Sequence, residues 1–144
     1  MKDARVRDLM VKHPVLIAPQ ATLKEAAVKM RDVDCGVLPV GTKSDLKGII
    51  TDRDIVIRAV SGGKDPAKET VEHYMTTQAY FCREDDTLKE AAEIMKRGEV
   101  TRLLVKDPSG RVSGIISFGS ILRNDVSAED IAAVVERVAD KKVA

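Results

Sequence analysis

The sequence predicts an α+β fold made of two copies of one β-α-β-β-α unit. Three observations predict it. First, Thr22-Leu23-Lys24-Glu25-Ala26-Ala27 recurs as Thr87-Leu88-Lys89-Glu90-Ala91-Ala92. The shift from 22 to 87 is 65 residues, and it also carries Met10 to Met75, Met30 to Met95 and Leu38-Pro39-Val40 to Leu103-Leu104-Val105. Second, Gly48-Ile49-Ile50-Thr51 returns as Gly114-Ile115-Ile116-Ser117, a shift of 66, so one residue is inserted between the matched segments. Third, short β-branched runs alternate with helix-period patterns in both copies. The chain reads as a tandem duplication.

Val6–Met10 is expected as a short lead-in turn, followed after Pro14 by a brief strand, Val15-Leu16-Ile17. Thr22 opens a helix with a Thr-x-x-Glu capping box, in which each side chain satisfies the other's backbone donor. Leu23, Ala26, Ala27, Met30 and Val33 mark one face of that helix, and the two alanines let it press close to a sheet. Val37–Val40 and Leu46–Thr51 form a hairpin, and a helix from Asp52 closes the unit, with apolar positions at Ile55, Val56, Ala59 and Val60. Ser61-Gly62-Gly63-Lys64-Asp65-Pro66 reads as a linker, because its Gly-Gly-Lys lacks the spacing of a phosphate loop.

The second copy runs from Val71 to Arg123. Its strand is Tyr80-Phe81-Cys82 and its capped helix starts at Thr87. Its hairpin turns at Asp107-Pro108-Ser109-Gly110, with residue types that fit a type I turn. Ser127-Ala128-Glu129-Asp130 is a further cap, and Ile131, Val134, Val135 and Val138 line one face of a terminal helix expected to pack on its own domain. The expected boundaries are residues 1–61 for the first repeat, 62–69 for the linker, 70–124 for the second repeat and 125–144 for the terminal helix.

Composition narrows the function classes. The chain has 144 residues, 24 basic and 23 acidic, for a net charge of +1, with no block of like charge. Steering toward nucleic acid or an anionic membrane is not indicated, and 3% aromatic content argues against a base-stacking surface. No apolar run of membrane length and no signal-peptide pattern occurs, so the expected location is the cytoplasm. Cys35 and Cys82 lack metal-type and C-x-x-C spacing and read as buried thiols in a reducing compartment. They occupy different positions in their repeats, so no disulfide between them is expected. His13 and His73 are isolated, and no metal site is expected. No nucleophile–base pair, metal cluster or cofactor fingerprint appears, so no catalytic residue is assigned and the expected activity is non-enzymatic.

The chemistry concentrates where Gly48-Ile49-Ile50 runs into Thr51-Asp52-Arg53-Asp54. A helix start offers unpaired N–H groups and suits an anion such as phosphate. Thr51-x-x-Asp54 is also the spacing of a helix cap, and alone the cap is the favoured reading. Its recurrence at Ser117 shifts the balance toward a site.

Taken together, Thr22–Ala27 with Met30, Gly36-Val37-Leu38-Pro39-Val40, Gly48–Asp54 and their echoes resemble a pair of CBS domains, the cystathionine-β-synthase-type repeats that form a Bateman module. The resemblance covers nearly the whole chain, and the Thr51–Arg58 run followed by Gly63 and Asp65-Pro66 also resembles the small stand-alone members. It implies two repeats packed about a pseudo-two-fold axis, clefts between them that often hold AMP, ADP, ATP or S-adenosylmethionine, further pairing into homodimers, and an effector protein whose conformation responds to occupancy. The implied function is a regulatory sensor of an adenosine derivative, with no cofactor required. The rival is a ligand-free interaction or dimerisation module.

By the same resemblance, the Thr51 hydroxyl approaches phosphate or ribose, and the Asp54 carboxylate accepts hydrogen bonds from the ribose diol. Arg53 can supply positive charge for phosphates. Asp52 adds a negative charge that disfavours ATP against less charged ligands unless it points away. Val15, Ile17, Leu38 and Pro39 are the implied apolar neighbours of the base; for Leu38 ordinary core is preferred. The second copy keeps a hydroxyl at Ser117 but has Ser120 at the Asp position, which weakens the case for an adenosine site there. Arg102, where many members carry a basic residue facing phosphate, and Tyr80 complete that doubtful second site. A plain surface arginine is the competing reading for Arg102.

Overall fold

Each repeat builds its sheet around its own hairpin and takes an outer edge from the lead-in of the other repeat. A computed structural model describes residues 4–124 and 126–138. Of the expected segments, residues 1–3, 125 and 139–144 lie outside the described residues, as does the side chain of Val138. Two units separate by contact, Pro14–Ala79 on one side and the chain up to His13 together with the chain from Tyr80 on the other. The compact units therefore do not follow the repeat boundaries, because the lead-ins change sides.

In the unit Pro14–Ala79, β2 (Val37–Gly41) and β3 (Leu46–Thr51) pair antiparallel, with Val37 opposite Thr51, Leu38 opposite Ile50 and Pro39 opposite Ile49. The expected strand Val15–Ile17 shrinks to one parallel bridge, Ile17 to Val40, closed by Ile17 N–H to Pro39 O at 3.0 Å and Gly41 N–H to Ile17 O at 2.9 Å. Pro14 and Pro19 flank it and bring no N–H to extend the ladder. On the far edge Thr76 bridges Ile49 through bonds of 2.9 and 2.8 Å.

α2 (Leu23–Val33) buries Leu23, Ala26 and Met30, while Ala27 and Val33 are exposed, so its buried face is narrower than the apolar pattern. Thr22 caps it by accepting from Glu25 N–H at 3.1 Å; only this half of the capping box forms. The linker is docked rather than loose. Lys24 and Leu23 N–H groups donate to the carbonyls of Pro66 and Glu69, which satisfies two orphan donors of α2. A 3-10 turn, Val71–His73, follows and buries Val71.

The helix after β3 is the main local departure. From Asp54 to Val60 it is wound as a π-helix. The wide turn continues past its end, where Ser61 N–H reaches Val56 O and Lys64 N–H reaches Ala59 O, both five residues back. Ile55 and Ala59 point inward, but Val56, Ile57 and Val60 are 54, 51 and 51% exposed. The wider winding turns Val56 and Val60 off the face that a 3.6-residue period assigned to them.

The second unit holds a four-stranded sheet in the order β1-β6-β5-β4, with β1 Val11–Lys12, β4 Phe81–Arg83, β5 Arg102–Lys106 and β6 Val112–Ser117. β4 and β5 are parallel and the other pairs antiparallel. The expected lead-in turn is a helical turn, α1 (Val6–Leu9), that runs into β1. Val6 and Leu9 sink fully into the core beside Met95 and Ile116. Val6 N–H to Asp86 O and Leu88 N–H to Ala4 O, both 2.9 Å, repeat the bonds Val71 N–H to Ala21 O and Leu23 N–H to Glu69 O of the other unit.

The repeated Met–Gly pairs explain how the lead-ins dock. A Cβ on Gly48 would stand 2.5 Å from Thr76 O and 3.3 Å from Met75 Sδ, and one on Gly114 would stand 2.6 Å from Met10 Sδ and 2.9 Å from Val11 O. Both glycines are kept for close approach of a neighbouring backbone. The inserted residue lies in the second hairpin loop, 107–111 against 42–45. There Gly110 N–H closes on Asp107 O at 2.9 Å. α3 (Leu88–Gly98) carries the complete box, Thr87 with Glu90, and buries Leu88, Ala91, Ala92 and Met95. α4 (Phe118–Leu122) follows β6. α5 (Ala128–Val138), capped by Ser127 accepting from Asp130 N–H at 3.1 Å, packs on α3 through Ile131 and Val134, and Arg137 pairs with Glu93.

Candidate functional site

At the first junction the strand β3 delivers Thr51 and the first helical turn returns Asp54 to it. Asp54 Oδ2 accepts Thr51 N–H at 3.0 Å, and Thr51 Oγ1 accepts Asp54 N–H at 3.0 Å. The cap predicted by spacing is thus present, and it uses one carboxylate oxygen. Arg58 Nη1 approaches Oδ1 at 3.9 Å, and the Asp54 side chain is 13% exposed. A carboxylate with one oxygen committed to a cap keeps the lone pairs of its other oxygen for a hydroxyl donor. Asp52 N–H donates to Gly36 O at 2.9 Å, and the Asp52 carboxylate lies against Gly36, where a Cβ would meet Oδ2 at 2.7 Å. Its Oδ1 accepts Arg53 N–H at 2.8 Å. Both Asp52 and Arg53 are exposed.

Ile17, Leu38 and Pro39 gather on the same sheet as Thr51. Ile17 N–H bonds Pro39 O, and β2 carries Leu38 and Pro39 opposite Ile50 and Ile49. Leu38 is 1% exposed and belongs to the core, as does Ile17 at 3%. Val15 is half-buried against that core.

At the second junction the same box closes with two serines. Ser120 Oγ accepts Ser117 N–H at 2.8 Å and donates to Ser117 O at 2.9 Å, while Ser117 Oγ accepts Ser120 N–H at 3.1 Å. Asn124 Nδ2 then donates to Ser120 O. Ser120 is 2% exposed, so its hydroxyl is spent inside the fold. Arg102 opens β5 directly opposite Ser117 and is exposed; its counterpart in the first repeat is the buried Val37, opposite Thr51. Tyr80 packs its ring on α3, close enough to Gly98 that a Cβ there would stand 2.9 Å away. The repeats have divided their polar groups, a carboxylate in one and a strand guanidinium in the other.

Arg58 and Tyr74 were not singled out by the sequence. Arg58 follows Asp54 at i+4, a spacing that signals a charge pair on any helix. Arg58 Nη1 donates to Tyr74 O at 2.6 Å. Burial first, then the charge and hydrogen bond of Glu69, push the Tyr74 hydroxyl above its ordinary value, and Arg58 opposes them. A separate open depression of about 700 Å³ lies beside Phe81, where Lys106 Nζ stands 4.1 Å over the ring; no junction residue lines it. Cys35 and Cys82 are both free thiols, and burial, with a smaller contribution from Asp86, pushes Cys82 up to about 12. Among the described residues no group of three His, Cys, Asp or Glu side chains comes together to hold a metal ion. Among them, too, no helix is long and apolar enough to cross a membrane.

Comparison with known proteins agrees with the repeat reading. The CBS domain family model matches residues 6–61 and 71–127. The CBS domain-containing protein YhcV of Bacillus subtilis is 28% identical over 138 residues, covering 96% of this chain and 97% of that protein. Hypoxic response protein 1 of Mycobacterium tuberculosis is 32% identical over 119 residues, 82% of each chain. A crystal structure of Hypoxic Response Protein I, solved with two coordinated zinc ions, superposes with a TM-score of 0.71 at 31% identity over 84% of this chain and 98% of that one. The fold alone is shared with the CBS domain of a bacterial CNNM/CorC family Mg2+ transporter in complex with ATP (TM-score 0.70, 20% identity, 90% of this chain and 88% of that one) and with CBSX2 in complex with AMP (0.67, 22%, 83% and 94%). With two matched domains over most of its length, a shared fold and full-length relatives of the same kind, the chain belongs to the CBS domain family and carries two CBS domains in tandem.

Proposed function

We propose that this CBS pair is a non-enzymatic, cytoplasmic regulatory sensor that binds one adenosine derivative per chain, drawn from AMP, ADP, ATP and S-adenosylmethionine, at the first-repeat junction. The observation that carries this reading is the Asp54 carboxylate, fixed through Oδ2 to Thr51 N–H with Oδ1 left outside the cap. An ionised carboxylate accepts from both hydroxyls of a ribose, and charged hydrogen bonds of this kind contribute about 1.5–3 kcal/mol. Thr51 and Arg53 are the hydroxyl and cation for phosphate, and the half-buried Val15 is the apolar neighbour of the base, while Ile17, Leu38 and Pro39 are buried. The AMP and ATP complexes of proteins with the same fold support the ligand class. Ser120 offers no such acceptor, which supports a single site. The test is calorimetric titration of the four ligands into the full chain. The expected result is submillimolar binding of at least one, with a stoichiometry of one per chain; no binding below millimolar rejects the sensor.

One observation favours a second reading, a homodimeric interaction module acting on an effector protein. Val56, Ile57 and Val60 leave an apolar face on the π-helix about half exposed, and Leu122 on α4 is 61% exposed. Light scattering at micromolar concentration gives twice the single-chain mass if these faces pair. A particle of single-chain mass rejects the homodimer.

A further inference from the structure

One guanidinium touches both the candidate site and the segment that joins the two units. Arg58 Nη1 stands 3.9 Å from Asp54 Oδ1 and donates to Tyr74 O at 2.6 Å. Tyr74 lies in Val71–Thr76, shortly before the chain enters the second unit at Tyr80. Every amide of that segment is bonded: Val71 to Ala21 O, Glu72 to Pro19 O, His73 to Thr70 O, Tyr74 and Met75 to Val71 O, and Thr76 to Ile49 O. The Arg58 side chain is 47% exposed, so solvent competes for it, whereas Asp54 is held at 13%. At 3.9 Å the Asp54 contact is an ion pair without a hydrogen bond, so it acts through charge. The carboxylate therefore keeps the guanidinium over the Tyr74 carbonyl, and hydroxyl donors on Oδ1 would spread that charge and slacken the hold.

We propose that Arg58 is a positioning residue that transmits the state of the Asp54 carboxylate to the Val71–Thr76 segment. The identity of the occupant rests on the adenosine-site reading above; the coupling itself is a property of the unliganded chain. Nucleotide binding at the first junction would then loosen the strand edge at Thr76, where the first repeat meets the start of the second.

Amide hydrogen exchange of Tyr74, Met75 and Thr76 tests it in the wild type, Asp54→Asn, Arg58→Gln and the double variant, without ligand. Asp54→Asn is expected to speed exchange about twofold, the scale of an exposed i,i+4 ion pair. Arg58→Gln is expected to speed it severalfold, and Asp54→Asn is expected to add nothing in that background. Arg58→Lys, which keeps the charge, is expected to retain part of the Asp54 effect. Unchanged exchange in α2 shows that the variants are folded. An Asp54→Asn effect that is absent, or equal with and without Arg58, overturns the coupling. A final arm adds saturating AMP to the wild type. Faster exchange at Tyr74–Thr76 supports the proposal, and binding that leaves those amides unchanged overturns it. If AMP does not bind, the adenosine reading loses support while the ligand-free cycle still decides the coupling.

Discussion

Replacing Gly48 by Ala tests whether the exchanged lead-ins hold each sheet together. The new Cβ would stand 2.5 Å from Thr76 O, a backbone atom, with the Thr76 carbonyl carbon at 3.2 Å. Thr76 is fixed to Ile49 by two backbone hydrogen bonds, 2.9 and 2.8 Å, so the methyl must push both apart. Two such bonds contribute about 1–3 kcal/mol net. Against this, Ala reduces unfolded-chain entropy by about 0.4–1 kcal/mol. The balance is a loss of about 1–2 kcal/mol, or roughly 3–8 °C in Tm for a chain of this size. Gly62→Ala is the control, because a Cβ there meets nothing closer than 3.5 Å and the backbone conformation suits Ala; it is expected to be neutral or slightly stabilising. Thermal and urea unfolding of the two variants decide the matter, with exchange at the Thr76 amide as the local readout. Equal stability of Gly48→Ala and Gly62→Ala would refute the reasoning, since it would mean that Thr76 does not sit against β3.

Three further outcomes are expected. The Ser109 hydroxyl, followed by the Arg111 and Ser109 N–H groups, holds Asp107 below its ordinary value of 3.8, and the Thr87 N–H and hydroxyl hold Glu90 below 4.5. Both carboxyls bind protons less readily when folded, so their stabilisation is present above those ordinary values and is lost as pH falls through the lowered ones; the urea midpoints of wild type and Asp107→Asn/Glu90→Gln should differ at pH 7 and draw together as pH falls below the ordinary values, and a constant gap would contradict this. With Cys82 buried and pushed up to about 12, iodoacetamide at pH 8 should label Cys35 first and reach Cys82 only on unfolding, read by mass spectrometry; early labelling of Cys82 would contradict its placement. Asp52 is exposed beside the junction, so Asp52→Asn should raise ATP affinity relative to AMP by roughly two- to fivefold, and an unchanged ratio in calorimetry would remove Asp52 from the site.

What the sequence made legible was local. The β3 boundaries, the Thr87–Glu90 box and the Asp107–Gly110 turn follow from alternation and side-chain-to-backbone bonding within four residues. The lead-in exchange was not legible, because Val11 opposite Ile115 and Thr76 opposite Ile49 are pairings between distant segments of only one or two residues. The signal was present in Gly48 and Gly114, glycines inside strands matched to Met75 and Met10, and close approach explains both. The π-winding was hidden for another reason. Ile55, Val56, Ala59 and Val60 fit an α-helical stripe, and only the five-residue hydrogen bonds separate Val56 and Val60 from it. At the candidate site, Thr51 and Asp54 were found by motif spacing, but the cap uses up one carboxylate oxygen, and Arg58 with Tyr74 required the fold to bring 58 and 74 together.

The central claim, that Asp54 makes the first junction an adenosine site and that Ser120 leaves the second without one, is tested most directly by titrating AMP, ADP, ATP and S-adenosylmethionine into wild type, Asp54→Ala and Ser120→Ala. Losing a charged acceptor for the ribose diol should weaken binding roughly ten- to a hundredfold in Asp54→Ala, while its lost helix-start charge costs about 0.3–1 kcal/mol of stability, so both variants are first shown to be folded. The account predicts that Ser120→Ala binds like wild type, because its hydroxyl is already spent on Ser117. Equal weakening by the two substitutions, or full affinity in Asp54→Ala, would contradict it.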